Sequence, residues 1–280
     1  MLPNREADAG RPAYHSPASA AWGGKPAPKG SPMALETIGG LFGERFGGDA
    51  PVLALHGWGR DRRDWAPVLS ATGGWAVDLP GFGASPPPPR AMGAAGYATL
   101  VEPVLAALGG PVVLAGHSFG GRVAVHLAVR QPDRVRGLVL AGVPLVRLPG
   151  ARPRVSVRFR AVRVARRLRL VSAEALDRAR RRYGSADYRA AEGVMRQVLV
   201  RVVTESYEQE LGALACPVHL VWGEADGVVP PPVATRALTL IPAGRLTLLP
   251  GVGHDVPAEA PGALAGAIAA WLDPSPGELR

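Results

Sequence analysis

The stretch from Pro111 to Val123, PVVLAGHSFGGRV, joins a short apolar run, a serine between two glycines and a second apolar pattern. PVVLA is typical of a buried parallel strand. FGGRVAVHLAVR has apolar residues at helical spacing and ends before Pro132. G-x-S-x-G can occur by chance in a glycine-rich chain. Between a strand and a helix, however, it is typical of a tight turn that presents a serine nucleophile, here Ser118. This turn, residues 116–120, is called the elbow below.

The expected backbone of this turn favours chemistry at Ser118. Glycines at positions 116 and 120 remove side chains that would collide where the strand and the helix cross. The serine oxygen then projects above the sheet, close to the positive end of a helix, where negative charge is stabilised. A serine hydroxyl is a weak nucleophile on its own, so the chain must also supply a base and an acid that orients this base.

His254 is the predicted base among the six histidines of the chain. It lies in LTLLPGVGHDVPAEAP, where a predicted strand is followed by a glycine-rich loop and a new helix. Loops beyond the carboxyl ends of strands are where an open α/β sheet places its ligands. The other five histidines fit structural roles in the tail, a loop, the elbow, a helix or a strand, and they are His15, His56, His117, His126 and His219.

Asp226 is the predicted acidic partner, because it follows the buried strand CPVHLVW and lies between the serine and the histidine in chain order. Glu224 is a nearby alternative. Asp255 is too close in sequence to His254 to orient it easily, and Asp78 precedes the serine in a different turn. An Asp before a glycine is also common as a simple turn former, which is the structural alternative for Asp226.

Composition and patterning favour one substantial α/β core. The chain has 280 residues and is 47% hydrophobic, enough to bury a single large core. Apolar runs alternate with helical patterns, which predicts a mostly parallel sheet covered by helices. The predicted strands are 51–55, 75–78, 111–115, 136–141, 216–222 and 245–249.

Five motifs together give the sequence a family resemblance. In chain order they are HGWG at 56–59, DLPGFGAS at 78–85, GHSFGG at 116–121, WGEADGVVP at 222–230 and GVGHDVPAEAP at 251–261. With these motifs the chain resembles the α/β-hydrolase superfamily, of the compact serine esterase and carbon–carbon hydrolase type, over roughly residues 34 to 273. The resemblance implies an α/β-hydrolase fold with a helical cap inserted between strands.

The resemblance also implies the roles of the site residues. Ser118 would be the nucleophile, His254 the base and Asp226 its partner. The backbone N–H groups of Trp58 and Phe119 would form an oxyanion hole, because fixed donors aimed at the developing anion lower the barrier to attack.

Three segments with different character are expected. Residues 1–32 are rich in Pro, Ala and Gly, which predicts a disordered N-terminal extension. The alternative is a misassigned start codon, because the sequence from Met33, MALETIGGLFGERF, is typical of the opening strands of the core. Residues 33–146 and 212–280 would form the hydrolase core. Residues 147–211 would form an arginine-rich helical cap, with a helix at 172–184 and another through 187–203.

Basic charge is concentrated in this predicted cap. Residues 150–210 hold fifteen arginines and no lysine against seven acidic residues, while the whole chain has a net charge of +9. One interpretation is a solvated basic surface. The other is a site for an acidic carrier or an anionic substrate, with Arg160, Arg163 and Arg167 on one helical face. Nucleic acid is not expected as a partner, because no recognisable nucleic-acid motif is present.

The predicted function is hydrolysis of a carboxylic ester, or of a thioester, through an acyl-enzyme. Carbon–carbon bond hydrolysis of the meta-cleavage-product type and non-catalytic ligand binding on the same fold are the alternatives. No cofactor or metal is predicted, because no His/Asp/Glu cluster has ligand spacing and no phosphate-cradling loop occurs. The single cysteine, Cys216, cannot form a disulfide framework, which favours a reducing compartment. No apolar run is long enough to span a bilayer. A cytoplasmic location is therefore predicted.

Overall fold

The computed structural model describes residues 35–148 and 186–272, together with 165–166, 170–172 and 178. Its centre is an eight-stranded sheet in the order β1-β2-β4-β3-β5-β6-β7-β8. The pairs β1–β2 and β2–β4 are antiparallel and all the other pairs are parallel. The strands are β1 Glu36–Ile38, β2 Leu41–Phe46, β3 Val52–Leu55, β4 Gly74–Val77, β5 Val112–His117, β6 Val135–Ala141, β7 Val218–Gly223 and β8 Gly244–Leu249.

Helices follow most of the parallel strands, as crossover connections between parallel strands require. Short 3₁₀ turns at Arg62–Trp65 and Pro132–Arg134 complete the described elements. The α-helices are α1 Ala66–Thr72, α2 Ala94–Ala107, α3 Phe119–Arg130, α4 Ala186–Ala190, α5 Gly193–Val202, α6 Glu208–Gly212, α7 Pro232–Leu238, α8 Val256–Glu259 and α9 Pro261–Ala269.

The central strands β3 to β7 are largely buried on both faces, which explains why they are mostly apolar rather than alternating with polar residues. In β5, Val112 and Leu114 belong to the apolar layer that contains α2, α3 and α7. Val113 and Ala115 point the other way, into the layer that contains α1 and α9. Alternation along the strand therefore divides one apolar run between two cores.

Polar contacts connect residues 186–211, the described helical part of the predicted cap, to the core. Glu205, beyond α5, accepts hydrogen bonds from the Tyr207 hydroxyl at 2.6 Å and from the N–H of Ala94, the first residue of α2, at 3.2 Å. The Arg122 guanidinium in α3 donates to the carbonyl of Val202. These bonds join the end of α5 to two core helices.

The sequence prediction of the fold class is confirmed, and each predicted core strand is present within one or two residues of its expected limits. One helix was expected through 187–203, but the structure has two, α4 and α5. Glu192 is extended between them, with φ −127° and ψ 164°, and Gly193 has φ +49°. A left-handed glycine next to an extended residue ends the helix and starts a new one.

Several sequence predictions lie outside the described residues. They concern the N-terminal extension at 1–32, the cap helix at 172–184 apart from Ser172 and Arg178, and Arg160, Arg163 and Arg167. Within the described ranges, no helix is both long and apolar enough to cross a membrane.

Candidate active site

Ser118 lies at the junction of β5 and α3, in a backbone conformation that is rare for a residue with a side chain. Its φ is +48° and its ψ is −109°, and it is the one non-glycine residue with positive φ in the described ranges. Its N–H donates to the carbonyl of Ala141, at the end of β6, at 2.9 Å. Strain of this kind persists only where the surrounding structure holds it, and it is common at functional sites.

The glycines beside Ser118 are required by close backbone contacts. A Cβ on Gly116 would lie 2.5 Å from the Cα of Gly121, and a Cβ on Gly120 would lie 2.2 Å from the carbonyl oxygen of Leu55. Neither position has room for a side chain. The crossing of strand and helix expected from the sequence is therefore present, and β3 takes part in it as well.

Asp226 and His254 meet across the loops that follow β7 and β8. The Nδ1 atom of His254 lies 2.8 Å from Oδ2 of Asp226. The other carboxylate oxygen, Oδ1, accepts from the N–H groups of Val228 at 2.8 Å and Val229 at 2.7 Å, and Asp226 is only 3% exposed. A carboxylate accepts, so Nδ1 carries a proton, and in the neutral imidazole this leaves the lone pair on Nε2.

Gly142, the residue after β6, leaves space for the His254 ring. A Cβ on Gly142, whose φ is +57°, would lie 3.0 Å from Nδ1 and Cε1 of the His254 ring. Gly142 directly follows Ala141, the residue that accepts the Ser118 N–H. The nucleophile candidate and the base candidate therefore lie against two consecutive residues, Ala141 at the end of β6 and Gly142 after it.

The three other acids considered from the sequence have different surroundings. Glu224 is exposed. Asp255 accepts from the Arg60 guanidinium at 2.6 Å. Asp78 is fully buried, and it accepts from the backbone N–H and the guanidinium of Arg62 at 2.8 and 2.7 Å. Asp226 is thus the acid that the fold brings to His254, and Asp78 organises the turn of the DLPGFGAS motif.

The HGWG loop passes directly beside the elbow. A Cβ on Gly57 would lie 3.5 Å from Cβ of Ser118. No carbonyl in the described ranges accepts from the backbone N–H of Trp58. Phe119 is the first residue of α3, so its N–H has no acceptor within the helix. The N–H groups of Trp58, which follows Gly57 in this loop, and of Phe119, which follows Ser118, therefore have no competing bond from the local secondary structure.

His56, in the same loop, has the bracing role expected from the sequence. Its Nδ1 contacts the carbonyl of Gly57 at 2.7 Å, and its Nε2 accepts from the N–H of Leu79 at 3.0 Å. Burial lowers the pKa of this imidazole below its usual value, so it stays neutral and can accept. The side chain ties the loop after β3 to the loop after β4.

A mostly apolar cavity of about 260 Å³ opens next to the HGWG loop. Trp58 and Phe82 contribute to it from the core, and Ala190, Ala191 and Met195 contribute from α4, α5 and their connection. The Trp58 ring packs edge to face against Phe82, with ring centroids 5.0 Å apart. Sequence reasoning missed these lining residues apart from Trp58. A large aromatic inside the loop motif DLPGFG was the one available signal for Phe82.

A sequence profile described as the alpha/beta hydrolase family matches residues 52–267, which include every residue of this site. The chain belongs to the α/β-hydrolase family. The match covers the elbow, the loop that carries Asp226, the loop that carries His254 and most of the described core.

Individual relatives of this α/β-hydrolase are esterases and lipases. A pimeloyl-[acyl-carrier protein] methyl ester esterase of Edwardsiella ictaluri is 30% identical over 230 residues, 74% of this chain and 87% of that esterase. Lipase LipV of Mycobacterium tuberculosis is 35% identical over 225 residues, 73% of this chain and 78% of the lipase. Among solved structures, a thermophilic esterase from Thermogutta terrifontis is similar at a TM-score of 0.60 and 25% identity, covering 83% of this chain and 92% of that one.

Proposed function

We propose that this ester hydrolase cleaves its substrate through an acyl-enzyme, with Ser118 as nucleophile, His254 as general base and Asp226 as the carboxylate that orients the base. The observation that carries the proposal is the 2.8 Å contact of a buried carboxylate with His254, at the same edge of the sheet as the strained serine. A hydroxyl nucleophile needs a base to activate it, and a third group that orients the base completes the usual arrangement for covalent catalysis.

In the first half of the reaction, Nε2 of His254 takes the proton of the Ser118 hydroxyl as Oγ attacks the ester carbonyl carbon. The carbonyl oxygen becomes an anion and accepts from the N–H groups of Trp58 and Phe119. The tetrahedral species collapses, the alkoxide leaves with the proton from His254, and the acyl group stays on Ser118. Asp226 stabilises the imidazolium that exists between these two proton transfers.

The second half repeats the same proton movements with water. His254 takes a proton from a water molecule as its oxygen attacks the acyl carbon, and the oxyanion again accepts from the two amides. Collapse breaks the bond to Ser118 Oγ, which recovers its proton from His254. A fluorophosphonate probe tests this assignment, because it should label wild-type Ser118. A chain that does not react with it is instead a non-catalytic binding protein.

The cavity beside Trp58 is proposed to hold a short apolar group of the substrate. At about 260 Å³ it is smaller than the roughly 300–1,000 Å³ typical of sites for drug-sized ligands. Ala191→Phe should fill it, and the ratio of kcat/KM for p-nitrophenyl butyrate to that for the acetate should fall about tenfold or more. The assay is a comparison of initial rates on the two esters.

Ala213→Phe is the matched control, because Ala213 is exposed at the end of α6. It should leave that ratio unchanged. An unchanged ratio in Ala191→Phe as well would show that the cavity does not receive the substrate. A panel that adds thioesters and vinylogous diketones to these esters separates ester hydrolysis from the carbon–carbon alternative.

An acidic carrier or an anionic substrate is proposed as the partner of the arginine-rich segment. The relative from Edwardsiella ictaluri is named for a carrier-bound ester. The positive charge of residues 150–210 would attract such a substrate at a distance. On a carrier-bound ester kcat/KM should fall steeply between low and physiological salt, where the Debye length is about 8 Å, while a neutral ester should hardly respond.

Arg160, Arg163 and Arg167 can be replaced together by glutamine to test the same proposal at low salt. The triple variant should then behave on the carrier-bound ester as the wild type does at high salt. If the neutral ester and the carrier-bound ester respond alike to salt and to the substitutions, the charge is a solvated surface and has no role in substrate capture.

A further inference from the structure

His117 is a buried titratable group that the mechanism above does not use. It is the last residue of β5 and directly precedes Ser118, and it is only 4% exposed. Its Nε2 atom lies 2.9 Å from the carbonyl oxygen of His254, and the centroids of the two imidazoles are 5.0 Å apart. A carbonyl oxygen only accepts, so His117 must hold its proton on Nε2 and donate it.

The other ring nitrogen of His117 faces the HGWG loop. Nδ1 is buried and has no hydrogen-bond partner within the described ranges. A Cβ on Gly57 would lie 2.9 Å from it, so the ring packs directly against the glycine. One side chain therefore contacts the loops of the base and of the oxyanion donor, and it is bonded in sequence to the nucleophile.

His117 is held neutral in this environment. Burial, and then the charge of the nearby His254, lower its pKa to about 3. At neutral pH the ring therefore keeps a single proton, and the bond to the His254 carbonyl fixes which nitrogen carries it. A neutral ring also adds no positive charge beside the imidazolium that His254 becomes during the reaction.

The carbonyl of His254 depends on this one bond. The residues on either side of His254 are held by another group, since the Glu259 carboxylate accepts from the N–H of Gly253 at 2.6 Å and from the N–H of Asp255 at 3.1 Å. In the part of the chain that the structure describes, His117 is the one hydrogen-bond donor to the His254 carbonyl itself. Losing it would free the peptide that sets the direction of the imidazole.

We propose that His117 is a positioning residue. Its Nε2–H holds the backbone carbonyl of His254, and its side chain keeps His254, Ser118 and the HGWG loop in fixed relative positions. The inference rests on the proposed role of His254. Its physical reason is that a small misplacement of a catalytic group costs rate, on the order of 10²-fold for about 1 Å.

The test compares two substitutions at this position. His117→Met fills a similar volume but has no donor, and kcat for p-nitrophenyl acetate should fall about tenfold with KM within about twofold of wild type. His117→Gln carries an N–H at a comparable distance along its side chain, so kcat should return to within about threefold of wild type. A wild-type kcat in His117→Met, or an equal loss in both variants, overturns the proposal.

His219→Met controls for simple destabilisation. His219 is also a buried strand histidine with one bonded nitrogen, Nε2 at 2.8 Å from Thr247 Oγ1, and one unpartnered nitrogen, but it lies near the start of β7, away from the site. It should lower the melting temperature as His117→Met does and leave kcat unchanged. A similar loss of kcat in His219→Met assigns the effect to stability and overturns the proposal.

Imidazole ¹⁵N NMR of the wild type tests the inference even if His117→Met does not fold. His117 should remain the neutral Nε2–H tautomer from about pH 5 to about pH 8, the range in which an unperturbed imidazole changes its charge, and a His117 that gains a proton there contradicts the inference. The proposed function is judged separately, on Ser118→Ala. Full activity in that variant removes the mechanism, whereas an inactive Ser118→Ala beside an unaffected His117→Met removes only the role of His117.

Discussion

Ser118→Ala is expected to reduce kcat on a short p-nitrophenyl ester by roughly 10⁶-fold, the scale set by serine knockouts in a serine protease. The alanine has no oxygen to attack the carbonyl, so no acyl-enzyme can form. What activity remains would come from the two backbone donors and from substrate binding. The measurement is the initial rate at saturating ester, with protein purified under conditions that exclude wild-type contamination.

The folded state of this variant should be almost unchanged. Ser118 is half-buried at the surface of the site, and alanine accepts the same backbone strain at φ +48° as serine does. Ser85→Ala is a control at another motif serine, whose Oγ accepts from the N–H of Phe42 at 3.0 Å. It should retain kcat. If Ser118→Ala turns over the ester at a near-native rate, Ser118 is not the nucleophile.

Asp226→Asn is expected to lower kcat by roughly 10⁴-fold, following the serine-protease precedent for the same substitution. The asparagine oxygen can keep the two bonds from the N–H groups of Val228 and Val229, which hold Oδ1 in the wild type. Its NH₂ group would then face Nδ1 of His254. A donor at that place requires a lone pair on Nδ1, so the proton moves to Nε2 and the base is lost.

Glu224→Gln is the matched control for this change. Glu224 is two residues from Asp226, but its side chain is exposed, so the variant should keep the wild-type kcat. Both variants are measured on the same ester, together with their melting temperatures. The opposite ranking, with Glu224→Gln inactive and Asp226→Asn active, would assign the orienting role to Glu224.

The sequence was sufficient for features that depend on a few neighbouring residues. The run PVVLA and the helical pattern after it predicted β5 and α3, because burial on both faces requires an apolar strand and amphipathic spacing marks a helix. Gly116 and Gly120 predicted the close crossing at Ser118, because only glycine fits where backbones touch. Order along the chain and position at strand ends were enough to nominate His254 and Asp226.

Features made by distant segments were decided only by the tertiary structure. Asp226 and Glu224 lie in the same turn, and which of them reaches His254 depends on how β7 and β8 pair. The cavity wall formed by Phe82 and Met195 joins segments more than one hundred residues apart. From the sequence His117 had only a structural role in the elbow, and its bond to the His254 carbonyl spans 137 residues of sequence.

The physical reason for this division is the range of the interactions involved. Strand, helix and turn preferences arise from backbone sterics and burial over about ten residues, so a local pattern records them. Hydrogen-bond partners and cavity walls depend on which chain segments the folded sheet brings together, and no short stretch of sequence contains that information. The sequence therefore determined the strand-to-helix elbow that carries Ser118, and the order of β3 to β8 in the sheet determined which acid, which neighbouring histidine and which aromatic side chains surround it.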